Sequence, residues 1–122
     1  MKTILLLSML FCHIVDDYYL QGIFAMLKQK SWWKENAPMP LYKNDYKMAL
    51  IEHAFSWTFM IHLPIIIIYK NVVILWFIAT VFIHAVIDNV KANDLSINLI
   101  QDQIIHMLQV VATWLIYIYW YE

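Results

Sequence analysis

The histidines and carboxylates of this sequence recur at helical intervals inside long apolar runs. His13, Asp17 and Gln21 stand at i, i+4 and i+8. His84 and Asp88 are four apart, with Lys91 three further on, and Asp102 and His106 are four apart, with Gln103 between them. Four residues make about one helical turn, so each set occupies one stripe of one helix. Imidazole nitrogen and carboxylate oxygen without thiolate form a donor set suited to Zn, Mn or Fe(II). His13, His53, His84 and His106, with Asp17, Asp88 and Asp102, are therefore the candidate ligands of a divalent metal. The three aspartates are also candidate general bases, Gln21 and Gln103 candidate orienters of water or substrate, and Lys91 a partner for Asp88 or for an anion. Seven candidates exceed the needs of one tetrahedral ion. The surplus fits two ions, or one ion whose imidazoles are oriented by aspartate. The Glu-x-x-His pattern of di-iron carboxylate bundles is absent.

The other polar residues read more plainly. His62, beside Pro64, is expected to be structural, and Pro64 to bend its helix. Asp16, about 100° around a helix from Asp17, and Glu52, beside His53, are expected at the periphery. Lys28 and Lys30 read as solvated charges, and Cys12 as a small apolar filler.

The elements that must position these groups follow from composition. The chain is 63% hydrophobic and 14% charged, against roughly 45–50% and about 25% in soluble domains. Four apolar stretches, at about residues 3–27, 48–69, 72–92 and 98–120, are each near the roughly 20 residues that span hydrocarbon as a helix. An outer-membrane barrel would need short alternating strands and frequent turn residues, yet the chain has one glycine, Gly22. The expected fold is all-α, a single membrane domain of four transmembrane helices. Residues 1–12 lack a small-residue cleavage site, and bulky Phe11 precedes Cys12, so the segment reads as a mature helix rather than a signal peptide. One cysteine permits no internal disulfide. A net charge of −1, without arginine, offers nothing to attract nucleic acid.

Residues 28–47, with five lysines and Pro38 and Pro40, form a polar connection. Tyr69-Lys70-Asn71 makes a tight turn, and residues 91–97 join the last two helices, with Asn93 or Asp94 available as N-cap. Lys28, Lys30, Lys34, Lys43, Lys47 and Lys91 then share one face of the membrane, against Lys2 and Lys70 on the other. Positive-inside logic makes the first face cytoplasmic, with both termini outside an inner (plasma) membrane. Trp114, Tyr117, Tyr119, Trp120 and Tyr121 read as an interfacial belt at the outer end. Ionisable groups inside such spans cost about 2.5–3.5 kcal/mol each, so they are expected to face one another. At about 1.5 Å per residue, the His/Asp sets meet in the cytoplasmic half, provided that the buried part of the first helix ends around Gln21 or Gly22.

At these residues the chain resembles a family of small bacterial and phage multi-pass membrane proteins known as domain of unknown function 3307 (DUF3307). The likeness rests on His13-Ile14-Val15-Asp16-Asp17-Tyr18-Tyr19-Leu20-Gln21, on His53, on His84-Ala85-Val86-Ile87-Asp88 with Lys91, and on Asp102-Gln103-Ile104-Ile105-His106. It is also similar to membrane-bound proteins described as metal-dependent hydrolases. The resemblance implies membership of these residues in one site.

The leading expectation is a metal-dependent intramembrane hydrolase acting on a lipid-like or phosphorylated substrate. A proton- or ion-conducting pathway is the alternative, because buried His and Asp chains also serve as relays. A holin-like membrane effector comes third. The partners implied are the lipid bilayer, that substrate and, in the third reading, further copies of the chain in a homo-oligomer.

Overall fold

A computed structural model describes residues 1–121. Helix α1 spans Lys2–Ile14 and runs directly into a π-helical segment, Val15–Leu20. Two short helices follow, α2 at Phe24–Leu27 and α3 at Lys30–Asn36, and then a 3₁₀ turn at Pro40–Tyr42. Helix α4 covers Tyr46–Tyr69 and α5 Ile74–Asn89, the latter continued by a second π segment, Val90–Asp94; α6 covers Leu99–Trp120. No strand occurs among the described residues. The four long helices are long and apolar enough to cross a membrane. Around the bundle, α1 packs on α4, α4 on α5, α5 on α6, and α6 on α1.

The bundle inverts the usual soluble pattern. Large apolar side chains such as Ile4, Phe11, Leu75, Phe82 and Leu108 lie outward and exposed, while all five histidines are buried. That arrangement suits hydrocarbon outside and polar pairing inside. Two layers fill the interior. Leu5, Met9, Trp57, Ile61, Ile65, Val110 and Tyr117 make an apolar cluster toward the end where α1 begins. The opposite end is polar, and Trp57 borders both layers.

The first helix is shorter than its apolar run of 3–27 suggests. It stops at Gly22, whose φ of +52° is left-handed and reverses the chain. A Cβ at Gly22 would meet nothing closer than 3.8 Å, so the cost of a side chain there is conformational, about 1–2 kcal/mol. Gly22→Val is expected to lower stability in detergent by that amount, measured by thermal unfolding.

The turn redirects the connection across the polar end of the bundle. Asn93 secures it there: its Oδ1 accepts from the Lys30 amide at 2.7 Å and its Nδ2 donates to the Lys28 carbonyl at 3.0 Å. Asn93 is thus occupied, and neither it nor Asp94 caps the last helix. Leu95, at φ 56°, ends the second π segment. The cap is Asn98, which exchanges hydrogen bonds with Gln101 in a capping box. At the far end, Lys70 adopts a left-handed conformation that closes α4. The Tyr117 hydroxyl accepts from the Val73 amide at 2.7 Å, and the Trp114 indole donates to the Lys2 carbonyl.

Candidate metal centre

Each helix delivers its polar stripe at the same end. Asp17 lies near the end of the first span, His53 near the start of α4, His84 and Asp88 near the end of α5, and Asp102 and His106 near the start of α6. Antiparallel packing of neighbours makes these positions coincide. His53 Nε2 lies 3.4 Å from Asp17 Oδ1, from Asp88 Oδ2 and from His84 Nε2. His84 Nε2 is 3.7 Å from Asp88 Oδ2, and His106 Nε2 is 3.2 Å from both Asp88 Oδ1 and Asp102 Oδ1.

The donor set passes a simple test of fit. An ion with bonds of about 2.1 Å in tetrahedral geometry has donor-to-donor edges of about 3.4 Å. Three groups have one ligand atom from each member within 4.8 Å of the others: Asp17, His53 and His84; His84, Asp88 and His106; Asp17, Asp102 and His106. These buried groups could hold a metal ion. His106 also has the outer contact typical of a ligand: its Nδ1 faces the side-chain Oε1 of Gln109 at 3.1 Å. An acceptor there places a proton on Nδ1. Nε2, aimed at two carboxylates, then needs either a second proton or a cation between them. His53 Nδ1 and His84 Nδ1 are buried without hydrogen-bond partners.

His13 takes a different place from the ligand role its spacing suggests. The Trp57 indole N–H, which can only donate, bonds His13 Nδ1 at 2.8 Å. The His13 proton therefore sits on Nε2 and is donated to Gln103 Oε1 at 3.1 Å. With that oxygen engaged, the Gln103 amide nitrogen turns to Asp17 Oδ2 at 2.6 Å and Asp102 Oδ2 at 3.1 Å. Both His13 nitrogens are occupied, so His13 orients two carboxylates through Gln103 rather than offering a lone pair itself. Trp57 serves twice, since its ring also stacks on His84, which stacks in turn on His106, each pair with centroids 4.1 Å apart.

The departure from α-helical pitch overturns one expectation and decides against one of the two open for Lys91. Asp16 is wholly buried rather than peripheral; it accepts from Ser56 Oγ at 2.7 Å, and its second oxygen lies 3.8 Å from His53 Nδ1. The wider π turn brings both aspartates inward, which α periodicity does not anticipate. Lys91, in the other π segment, pairs with Asp102 at 2.9 Å instead of Asp88.

The cation on Asp88 is Lys28, 2.8 Å away and 7% exposed, where a solvated lysine was expected. The Gly22 turn carries Lys28 back over the bundle, and it also bonds the Gln21 side chain. Gln21 reaches the centre only through Lys28, its own amide nitrogen being donated to the Asp17 carbonyl.

His62 joins none of the three groups and bonds the Thr58 carbonyl of its own helix at 2.7 Å. Glu52 is exposed. Trp57 and Gln109, absent from the sequence reading, continue the stripes of His53 and His106 and could have been found that way; nothing local marks Lys28 or Asp16. No family model matches the chain, and no curated protein or solved structure matches it.

Proposed function

We propose that the chain is a metal-dependent intramembrane hydrolase acting on an ester of a lipid-like or phosphorylated molecule, and that it belongs with the DUF3307 proteins it resembles. One observation carries the reading: the Nε2 atoms of His53, His84 and His106 converge on Asp17, Asp88 and Asp102 at spacings of 3.2–3.7 Å in a buried layer. One or two ions of Zn, Mn or Fe(II) suit that nitrogen and oxygen set. A divalent ion bound there supplies Lewis acidity, polarising an ester oxygen and acidifying water.

The chain's own groups do the rest. Gln103, held by His13, fixes Asp17 and Asp102 so that the Oδ1 atom of each faces the centre, where it ligates or takes a proton from water. Lys28 and Lys91 offset part of the carboxylate charge. The lysine-rich connection lies at the same end as the centre, and the opposite end has only Lys2 and Lys70. This bias favours a centre open to the cytoplasmic leaflet, with both termini outside.

Protein purified in detergent without chelator is expected to carry one or two equivalents of Zn, Mn or Fe. Chelation is expected to lower its thermal midpoint, and adding back the metal to restore it. A metal-free preparation indifferent to added Zn or Mn overturns the reading.

A second reading, proton or ion conduction, gains from polar groups beyond the centre. Thr58 Oγ1, His62 Nε2 and Gln109 Nε2 are buried without hydrogen-bond partners, as water sites often are. Proteoliposome flux abolished by Asp17→Asn in metal-free protein would select it.

A further inference from the structure

A cavity of about 320 Å³ opens at the polar end of the bundle, lined by Gln21, Ala25, Lys28, Gln29, Lys91, Ala92 and Leu95. We infer that it is a subsite for a phosphoryl anion, in which Lys28 and Lys91 hold the charged oxygens beside the candidate metal centre. The inference deepens the hydrolase reading and rests on it for the reaction, though not for the binding.

The two ammonium groups reach this cavity from different parts of the chain, one beyond the Gly22 turn and one from the π segment after α5. Each holds a different carboxylate of the centre, Asp88 for Lys28 and Asp102 for Lys91. Neutralising those carboxylates does not require both lysines to line a single cavity. An ammonium has three N–H donors. Lys28 gives one each to Asp88 and Gln21, and Lys91 gives one to Asp102, so donors remain on both.

The Lys91 side chain is 32% exposed and remains within reach of a ligand. Two compact point charges suit a tetrahedral dianion, as lysines do in other phosphate sites. The remaining lining is small or uncharged, Ala25 and Ala92 leaving the space and Gln21 and Gln29 edging it. A phosphate seated there would lie across Lys28 from Asp88 and across Lys91 from Asp102, the two carboxylates those lysines hold.

The test is binding of inorganic phosphate to the full-length, metal-loaded protein in detergent, followed by calorimetry, with metal content measured on the same samples. Saturable binding is expected, weakened at least tenfold by Lys91→Gln, retained in Lys91→Arg, and blocked by Ala92→Phe, which fills the cavity without touching the imidazoles. Competition by vesicles of phosphatidylcholine with phosphatidic acid, but not of phosphatidylcholine alone, identifies a lipid headgroup as the source. Competition by glycerol phosphate alone identifies a soluble ester, and either result sustains the inference. Phosphate binding that is absent, or equal in wild type, Lys91→Gln and Ala92→Phe, overturns the subsite; if metal is still bound, the hydrolase reading survives. Lysine-dependent phosphate binding by a protein that takes up no metal does the reverse.

Discussion

Asp88→Asn is expected to abolish metal binding and to destabilise the bundle. Asp88 is the most connected carboxylate of the centre, within 3.7 Å of His53, His84 and His106 and bonded to Lys28. The amide keeps the shape but loses the charge and one acceptor. Loss of an outer partner of a metal ligand already costs about 10–100-fold in affinity, so loss of a shared carboxylate should exceed that. Lys28 is then left buried beside a neutral group, a situation that costs about 3–5 kcal/mol for a buried ion pair. The double variant Lys28→Met, Asp88→Asn removes the stranded charge. It is expected to recover most of the stability and none of the metal, as read by thermal unfolding and elemental analysis. If the single variant keeps its full metal complement, Asp88 is no ligand.

His84→Phe separates chemistry from packing. The imidazole lies between Trp57 and His106 in a stack with interplanar angles of 19° and 28°. A phenyl ring can keep that stack while removing Nε2 from the centre and the unpartnered Nδ1 from the interior. A polar knot that serves only to hold helices together should tolerate or even gain from the exchange. A metal centre should lose at least one equivalent of ion. It should also lose the stabilisation conferred by added metal, about 2.7 kcal/mol when the free ion is at 100 times its Kd. Unchanged metal content with unchanged stability would remove His84 from the centre and leave the structural role alone.

These two substitutions test different sides of one arrangement. Four carboxylates, the buried Asp16, Asp88 and Asp102 and the largely covered side chain of Asp17, face two ammonium groups, Lys28 and Lys91. With neutral imidazoles and all four carboxylates ionised, two negative charges remain uncompensated in a layer inside an apolar bundle. Such charge is costly unless paired, and one divalent cation balances it. Protonation of two histidines balances it equally well, which is why metal content and the His84→Phe comparison carry the decision.

The local grammar of the chain was sufficient for the membrane bundle and for most of the centre. Four runs of about twenty apolar residues determine four spanning helices, because helical rise and bilayer thickness are independent of partners. The four-residue spacing of Asp102 and His106, and of His84 and Asp88, puts each pair on one stripe whatever packs against it. Polar groups in hydrocarbon then have only one another to face, and this places His53 and Asp17 in the same layer. Tertiary structure decided the rest. The π turns at Val15–Leu20 and Val90–Asp94 rotate Asp16 inward and aim Lys91 at Asp102. The left-handed Gly22 folds Lys28 back onto Asp88, and the Trp57 indole converts His13 from a donor atom for metal into a support for Gln103. Periodicity is a property of one helix, whereas a wide turn, a chain reversal and the direction of a hydrogen bond depend on what the neighbouring helix presents.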